Sequence, residues 1–121
     1  MRVVLIGLLG AAGALARYGL ATQFPQHRFP WTIMAINVTG AFVLGCLLTA
    51  ERTDRIDPGV AIVIGIGFLG AFTTFSTLSW DSFDLLRNGH AASALLNSAG
   101  SLLLGIGAAG SGYWLTSQWA S

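Results

Sequence analysis

The chain has 121 residues, of which 54% are hydrophobic and only 9% charged, with a net charge of +1. A soluble domain this short leaves much of its surface in water, and ordinary soluble domains are about one quarter charged. The composition therefore points to lipid as solvent, to a single domain over residues 1–121, and away from nucleic acid, for which there is no basic face.

Four apolar runs predict an all-α membrane protein. The first covers 3–22, from Val3 to Thr22. A signal peptide is the second-ranked reading of this segment, with Arg2 as its basic start and Ala14, Leu15 and Ala16 resembling a cleavage site. It ranks second because the segments that follow are also apolar enough for a bilayer. Gln23 to Pro30 forms the first loop, and Pro30 suits a helix start. The second run covers 31–50 and contains the lone Cys46, which reads as a small buried filler. Glu51 to Pro58 carries the densest charge and reads as a solvated helix end, with Glu51 and Arg55 at i,i+4 spacing. The third run covers 59–86. It exceeds the roughly 20 residues that cross a hydrocarbon layer of about 30 Å at 1.5 Å per residue. Gly89 marks a stop before the fourth run, 91–115. His27 and His90 lie in loops without partner ligands and read as interfacial. Trp31, Tyr113 and Trp114 lie at span ends, where aromatic belts form. Gly7, Gly10, Ala11 and Gly13 on the first span, and Gly100, Gly105, Ala109 and Gly112 on the fourth, suit close helix packing.

Arginine distribution normally fixes membrane orientation. Here Arg2, Arg52 and Arg55 fall on the N-terminal side, Arg28 and Arg87 fall on the other, and Arg17 lies near that second side. There is no lysine. This balance predicts insertion in both orientations and an antiparallel, dual-topology dimer. Transporters with inverted repeats build the same symmetry within one chain.

Polar groups in hydrocarbon are costly and mark candidate function. Arg17, Asn37, Asp81 and Ser101 come from four different spans and fall in the same half of the bilayer. Arg17 and Asp81 are near enough in depth to predict an ion pair, direct or through water. In the third run, Gly65, Gly67 and Gly70 precede Thr73, Thr74, Ser76, Thr77 and Ser79. Glycines followed by hydroxyls suggest a helix broken near the bilayer midplane. Its freed backbone groups would have to be buried in protein or line a cavity.

These residues resemble the CrcB/Fluc fluoride channels across nearly the whole chain. Gly10, Gly13, Ala14, Arg17 and Tyr18 match the family's G-x-x-G-A-x-x-R-Y. Asn37, Gly40, Ala41, Phe42 and Gly45 match N-x-x-G-[SA]-F-x-x-G. Gly70 with Thr73 to Ser79 is close to G-G-x-T-T-F-S-T-F-S. The resemblance implies a dual-topology homodimer in the cell membrane that passively exports cytoplasmic fluoride. It implies a structural sodium ion at the dimer centre, held by backbone carbonyls of Gly70 and Thr73 from both copies. It also implies that Asn37 lines the pathway and that Phe75 presents its positive ring edge to the anion. Thr74, Ser76, Thr77 and Ser101 would supply O–H donors that replace fluoride's hydration shell, and Arg17 and Asp81 would lie in the vestibule. Leu78 stands where the family has a second phenylalanine, Ala71 replaces a glycine, and Asp81 stands where glutamate is common.

No catalytic constellation competes, so an enzyme is not expected. Two other readings stay open. One is a small proton-coupled multidrug-type exporter, which needs a titratable carboxylate deep in a span. The acids here lie in a loop or toward one end of the third run. The other is a non-conducting subunit of a heterodimeric channel, which the missing second phenylalanine favours.

Overall fold

The computed structural model describes residues 1–24 and 28–119 of the chain. His27 and the middle of the first loop lie outside the described residues. The elements are helices α1 (Arg2–Gln23), α2 (Trp31–Arg52), α3 (Pro58–Ile62), a π-helical segment (Val63–Leu69), and helices α4 (Gly70–Phe72), α5 (Phe75–Arg87) and α6 (Ala91–Gln118). Taken end to end, four helical stretches are long and apolar enough to cross a membrane: Arg2–Gln23, Trp31–Arg52, Pro58–Arg87 and Ala91–Gln118. The protein is therefore a multi-pass membrane protein.

The termini follow local chemistry. Pro30 stands at the N-cap of α2, where the absence of an N–H costs nothing. Asp57 caps α3, its carboxylate accepting from the Gly59 N–H at 2.8 Å. At the end of α5, Gly89 takes φ 81°. His90 N–H then donates to Leu85 O at 2.8 Å and Gly89 N–H to Leu86 O at 3.2 Å, the paired closure of a Schellman cap. Glu51 and Arg55 do not share a helix face as their spacing suggests. The helix stops at Arg52, Asp54 turns to φ 55°, and the Arg55 amide folds back onto Ala50 O at 2.9 Å.

Packing runs along glycine seams. α1 lies on the π-helical segment so closely that a Cβ on Gly13 would collide with the Phe68 carbonyl. From the other side, one on Gly67 would come within 3.1 Å of Ile6 O. α2 lies on α6 in the same way, with Gly45 against the Ala109 carbonyl and Gly112 against the Phe42 carbonyl. These contacts give Gly13 and Gly112 the packing role their sequence pattern suggests, since without side chains backbones can touch and gain dispersion contact. Gly7 and Gly105 meet nothing within 4 Å in the single chain. A small core of Leu47, Ala61 and Leu69, flanked by Leu44, Ile64 and Phe68, joins α2 to the third stretch. Most large apolar side chains of α1 and α6 point outward, among them Val3, Leu8, Leu15, Leu102, Leu103 and Ile106. That distribution is expected where the surroundings are lipid or another apolar surface.

Candidate functional site

The site is organised by the chain's departure from helical geometry in the third stretch. Upstream, the ladder is already widened: the Gly70 N–H donates to Gly65 O, five residues back. After Phe72 the backbone extends, with φ −81° and ψ 157° at Thr73 and φ −150° and ψ 115° at Thr74, before α5 begins at Phe75. The Thr73 amide still donates to Leu69 O at 3.0 Å, and the Thr74 carbonyl, at the N-cap, begins the α5 ladder. The Thr74 N–H and the Thr73 carbonyl are left to find partners elsewhere.

Asn37 of α2 supplies the first. Its Oδ1 accepts from the Thr74 N–H at 2.8 Å, and its Nδ2 donates to Thr74 O at 3.1 Å. One carboxamide thus replaces the missing partner of the Thr74 amide and adds a second bond to its carbonyl, in a residue only 8% exposed. Thr74 in turn caps α5: its Oγ1 accepts from the Thr77 N–H at 3.2 Å and donates to Thr77 Oγ1 at 3.1 Å. Ser76 Oγ lies 3.2 Å from the same oxygen. Thr73 closes the upstream end, where its hydroxyl donates to Leu69 O at 2.9 Å. The remaining Thr73 carbonyl accepts from Arg17 Nη1 of α1 at 3.4 Å. Gly40 of α2 admits the Thr73 side-chain methyl, which a Cβ there would overlap.

A groove of about 680 Å³ runs along this junction between α2, the third stretch and α6. Six of the ten candidate site residues line it: Asn37, Gly70, Thr73, Thr74, Phe75 and Ser101. Phe75 is 82% exposed in the single chain, and Ser101 is buried with an unpartnered Oγ. Ser76, which is exposed, and Thr77, which is half-buried, are not among the groove-lining residues and are tied to Thr74. Leu78 faces the groove.

Arg17 and Asp81 do not form the predicted direct ion pair. The guanidinium is drawn to the Thr73 carbonyl, while Asp81 Oδ2 is enclosed without a hydrogen-bond partner. The salt bridge that does form in this half joins Arg87 and Asp84.

Two site residues escaped the sequence reading. Asn97 of α6 is 1% exposed and donates through Nδ2 to Ser82 Oγ of α5 at 3.0 Å, and Ser82 lines the groove. Asn97 precedes Ser101 by four residues, so the rule that flags polar groups inside apolar spans would have found it.

Among the described residues, no cluster of histidine, cysteine, aspartate or glutamate could hold a metal ion. Backbone oxygens are the alternative. The Gly70 carbonyl has lost the amide that an α-helix would offer it, because the Thr74 N–H goes to Asn37.

Residues 4–113 match the model of the family described as CrcB-like protein, Camphor Resistance (CrcB). The chain is 46% identical over 115 residues to the fluoride-specific ion channel FluC 1 of Symbiobacterium thermophilum, covering 90% of this chain and 92% of that protein. It is 42% identical over 106 residues to the fluoride-specific ion channel FluC of Geobacter sulfurreducens, covering 84% and 86%. To the FluC of Thermus thermophilus it is 38% identical over 117 residues, covering 94% of each. With four stretches apolar enough to span a membrane and a family match over most of its length, the chain belongs to the CrcB-like family.

Proposed function

We propose that the chain is a fluoride-selective channel, not an enzyme, that lets cytoplasmic fluoride leave the cell passively through an antiparallel dimer. The observation that carries this reading is the groove, which gathers Asn37, Thr74, Phe75 and Ser101 beside an interrupted helix. Fluoride is small and strongly hydrated, so a route through low dielectric must offer hydrogen-bond donors in place of water. Ser101 offers a hydroxyl with no acceptor of its own, and the Asn37 amide has one N–H beyond the bond to Thr74. The exposed Phe75 ring can turn its positive edge to an anion.

The Thr73–Thr74 pair supports a third helix broken near the bilayer midplane, because extended backbone at that depth needs burial or a cavity. The carbonyls of Gly70 and Thr73 suit a hard cation such as sodium, and a second copy would double them to four. The Arg17 guanidinium beside Thr73 O is a competitor for that oxygen. A fixed cation there lowers the cost of bringing an anion into the site. The balanced arginines and the outward apolar faces of α1 and α6 support pairing with an oppositely inserted copy.

Liposomes containing this chain alone and loaded with fluoride and chloride are expected to lose fluoride and keep chloride. Retention of both, or equal loss of both, rejects the reading. Replacing sodium with N-methylglucamine throughout is expected to abolish the flux, and undiminished flux would remove sodium from the proposal. Topology is tested in a Cys46→Ala background carrying Asn88→Cys. An impermeant thiol reagent should label half of the chains in intact cells and the rest after permeabilisation. Labelling of all or none before permeabilisation rules out dual orientation.

Leu78 in the groove favours one other reading, a heterodimer whose partner supplies a second ring. In that case flux appears only when a second homologue is reconstituted with this chain.

A further inference from the structure

Helical serine and threonine hydroxyls ordinarily donate back to the carbonyl four residues earlier. Thr49, Thr73, Ser79, Ser98 and Ser111 all do so here. Ser82 and Ser101 do not, and both line the groove. Ser82 is held differently: Asn97 Nδ2 donates to its Oγ at 3.0 Å across the α5–α6 contact. That bond fills an acceptor site on the oxygen and leaves the O–H proton without an acceptor among the described residues, while Asn97 Oδ1 is likewise buried without a partner.

The position of Ser82 is informative. Phe75, Leu78, Ser79 and Ser82 recur at i, i+3, i+4 and i+7, so they form one face of α5, and all four line the groove. Ser82 therefore stands one turn beyond Leu78, toward the end of α5 at Arg87. Asn97, the seventh residue of α6, lies at matching depth, and Ser101 lies one turn deeper, about 6 Å. Asp81, whose charge would repel an anion, is not among the groove-lining residues.

We propose that Ser82 is a further anion-donating residue at the outer end of the groove, and that Asn97 is its positioning residue, holding the oxygen so that the O–H points to the ion. Ser82 and Ser101 then form successive donors on either wall, one turn apart. The proposal rests on the fluoride-channel reading and adds to it a pair of residues outside the matched motifs.

The test is fluoride efflux from liposomes at several internal fluoride concentrations, with Ser82→Ala, Ser82→Thr, Asn97→Leu and the Ser82→Ala/Asn97→Leu double variant. Each protein is first shown to elute as the wild type does. Ser82→Ala is expected to lower efflux at low fluoride by about tenfold, the effect of losing one hydrogen bond to a charged group. Ser82→Thr keeps the hydroxyl and restores the rate. Asn97→Leu lowers efflux in the wild-type background and has no further effect on top of Ser82→Ala, which a merely structural contact would not reproduce. Unchanged efflux in Ser82→Ala, or losses that simply multiply in the double variant, overturns the proposal. Should Asn97→Leu fail to assemble, Ser82→Ala against Ser82→Thr still decides the role of the hydroxyl. A wild-type protein that passes no fluoride rejects the channel reading and this proposal with it. Wild-type flux that all the variants share rejects this proposal alone.

Discussion

Asn37→Leu is expected to abolish fluoride flux and to lower the thermal stability of the detergent-purified protein by a wide margin. The substitution removes the bond at 2.8 Å that satisfies the Thr74 amide and the one at 3.1 Å that reinforces its carbonyl. Leucine is of similar size, so the loss is one of hydrogen bonds more than of volume. A buried backbone amide left unpaired costs about 1–3 kcal/mol. Side-chain hydrogen bonds between membrane helices average only about 0.6 kcal/mol, because a separated helix finds other partners. Thr74 lies nearer the upper range because its amide is backbone, freed by the extended geometry, and backbone groups in hydrocarbon must be satisfied. Asn37→Asp separates the two roles. The carboxylate still accepts from the Thr74 N–H, so part of the stability returns. It cannot donate, and its charge repels an anion in the groove, so flux stays lost. Wild-type stability in Asn37→Leu, read from a melting curve, would show that the carboxamide does not staple the junction.

Gly45→Ala and Gly112→Ala are expected to destabilise the protein almost as severely. Each new methyl would land on a backbone carbonyl of the facing helix, Ala109 for the first and Phe42 for the second. Side chains can move aside for an added methyl, but a helix backbone can yield only by separating the pair. Overpacking of this kind costs about 1–3 kcal/mol per site. The controls are Gly105→Ala and Gly107→Ala on the same helix α6, which meet nothing within 4 Å in the chain. There alanine gains about 1 kcal/mol of helix propensity. Equal melting temperatures for Gly45→Ala and Gly107→Ala would mean that α2 and α6 stand further apart than the structure places them.

The four spans are legible in the sequence because hydropathy is a local property and a bilayer fixes the length that must be covered. Gly89 as a stop and Pro30 as a start are equally local. The glycine and hydroxyl run drew attention to the segment around Thr73, but what holds it was not readable. The Asn37 staple joins residues 37 apart in the chain, and only the packing of α2 against the junction brings them together. The same reason explains Arg17. Depth alone paired it with Asp81, whereas the helix faces turn it to a carbonyl left open by the extended backbone. Asn97 was missed for a different reason. Its place inside an apolar span marks it as a candidate, but its role depends on Ser82 of another helix, which no local pattern shows. The π-helical segment leaves no mark on hydropathy, since widening a ladder changes which carbonyl an amide meets and not which residues are apolar.

That segment works as a slack link. Each residue of an α-helix turns the chain by about 100°, and a turn bonded five residues back closes with one residue more. The surplus residue is taken up inside the turn, so the Gly70 and Thr73 carbonyls keep the bearing that a tighter helix one residue shorter would give them. Removing one residue between Val63 and Leu69 would therefore let the tighter winding return with both oxygens still addressing the same neighbours.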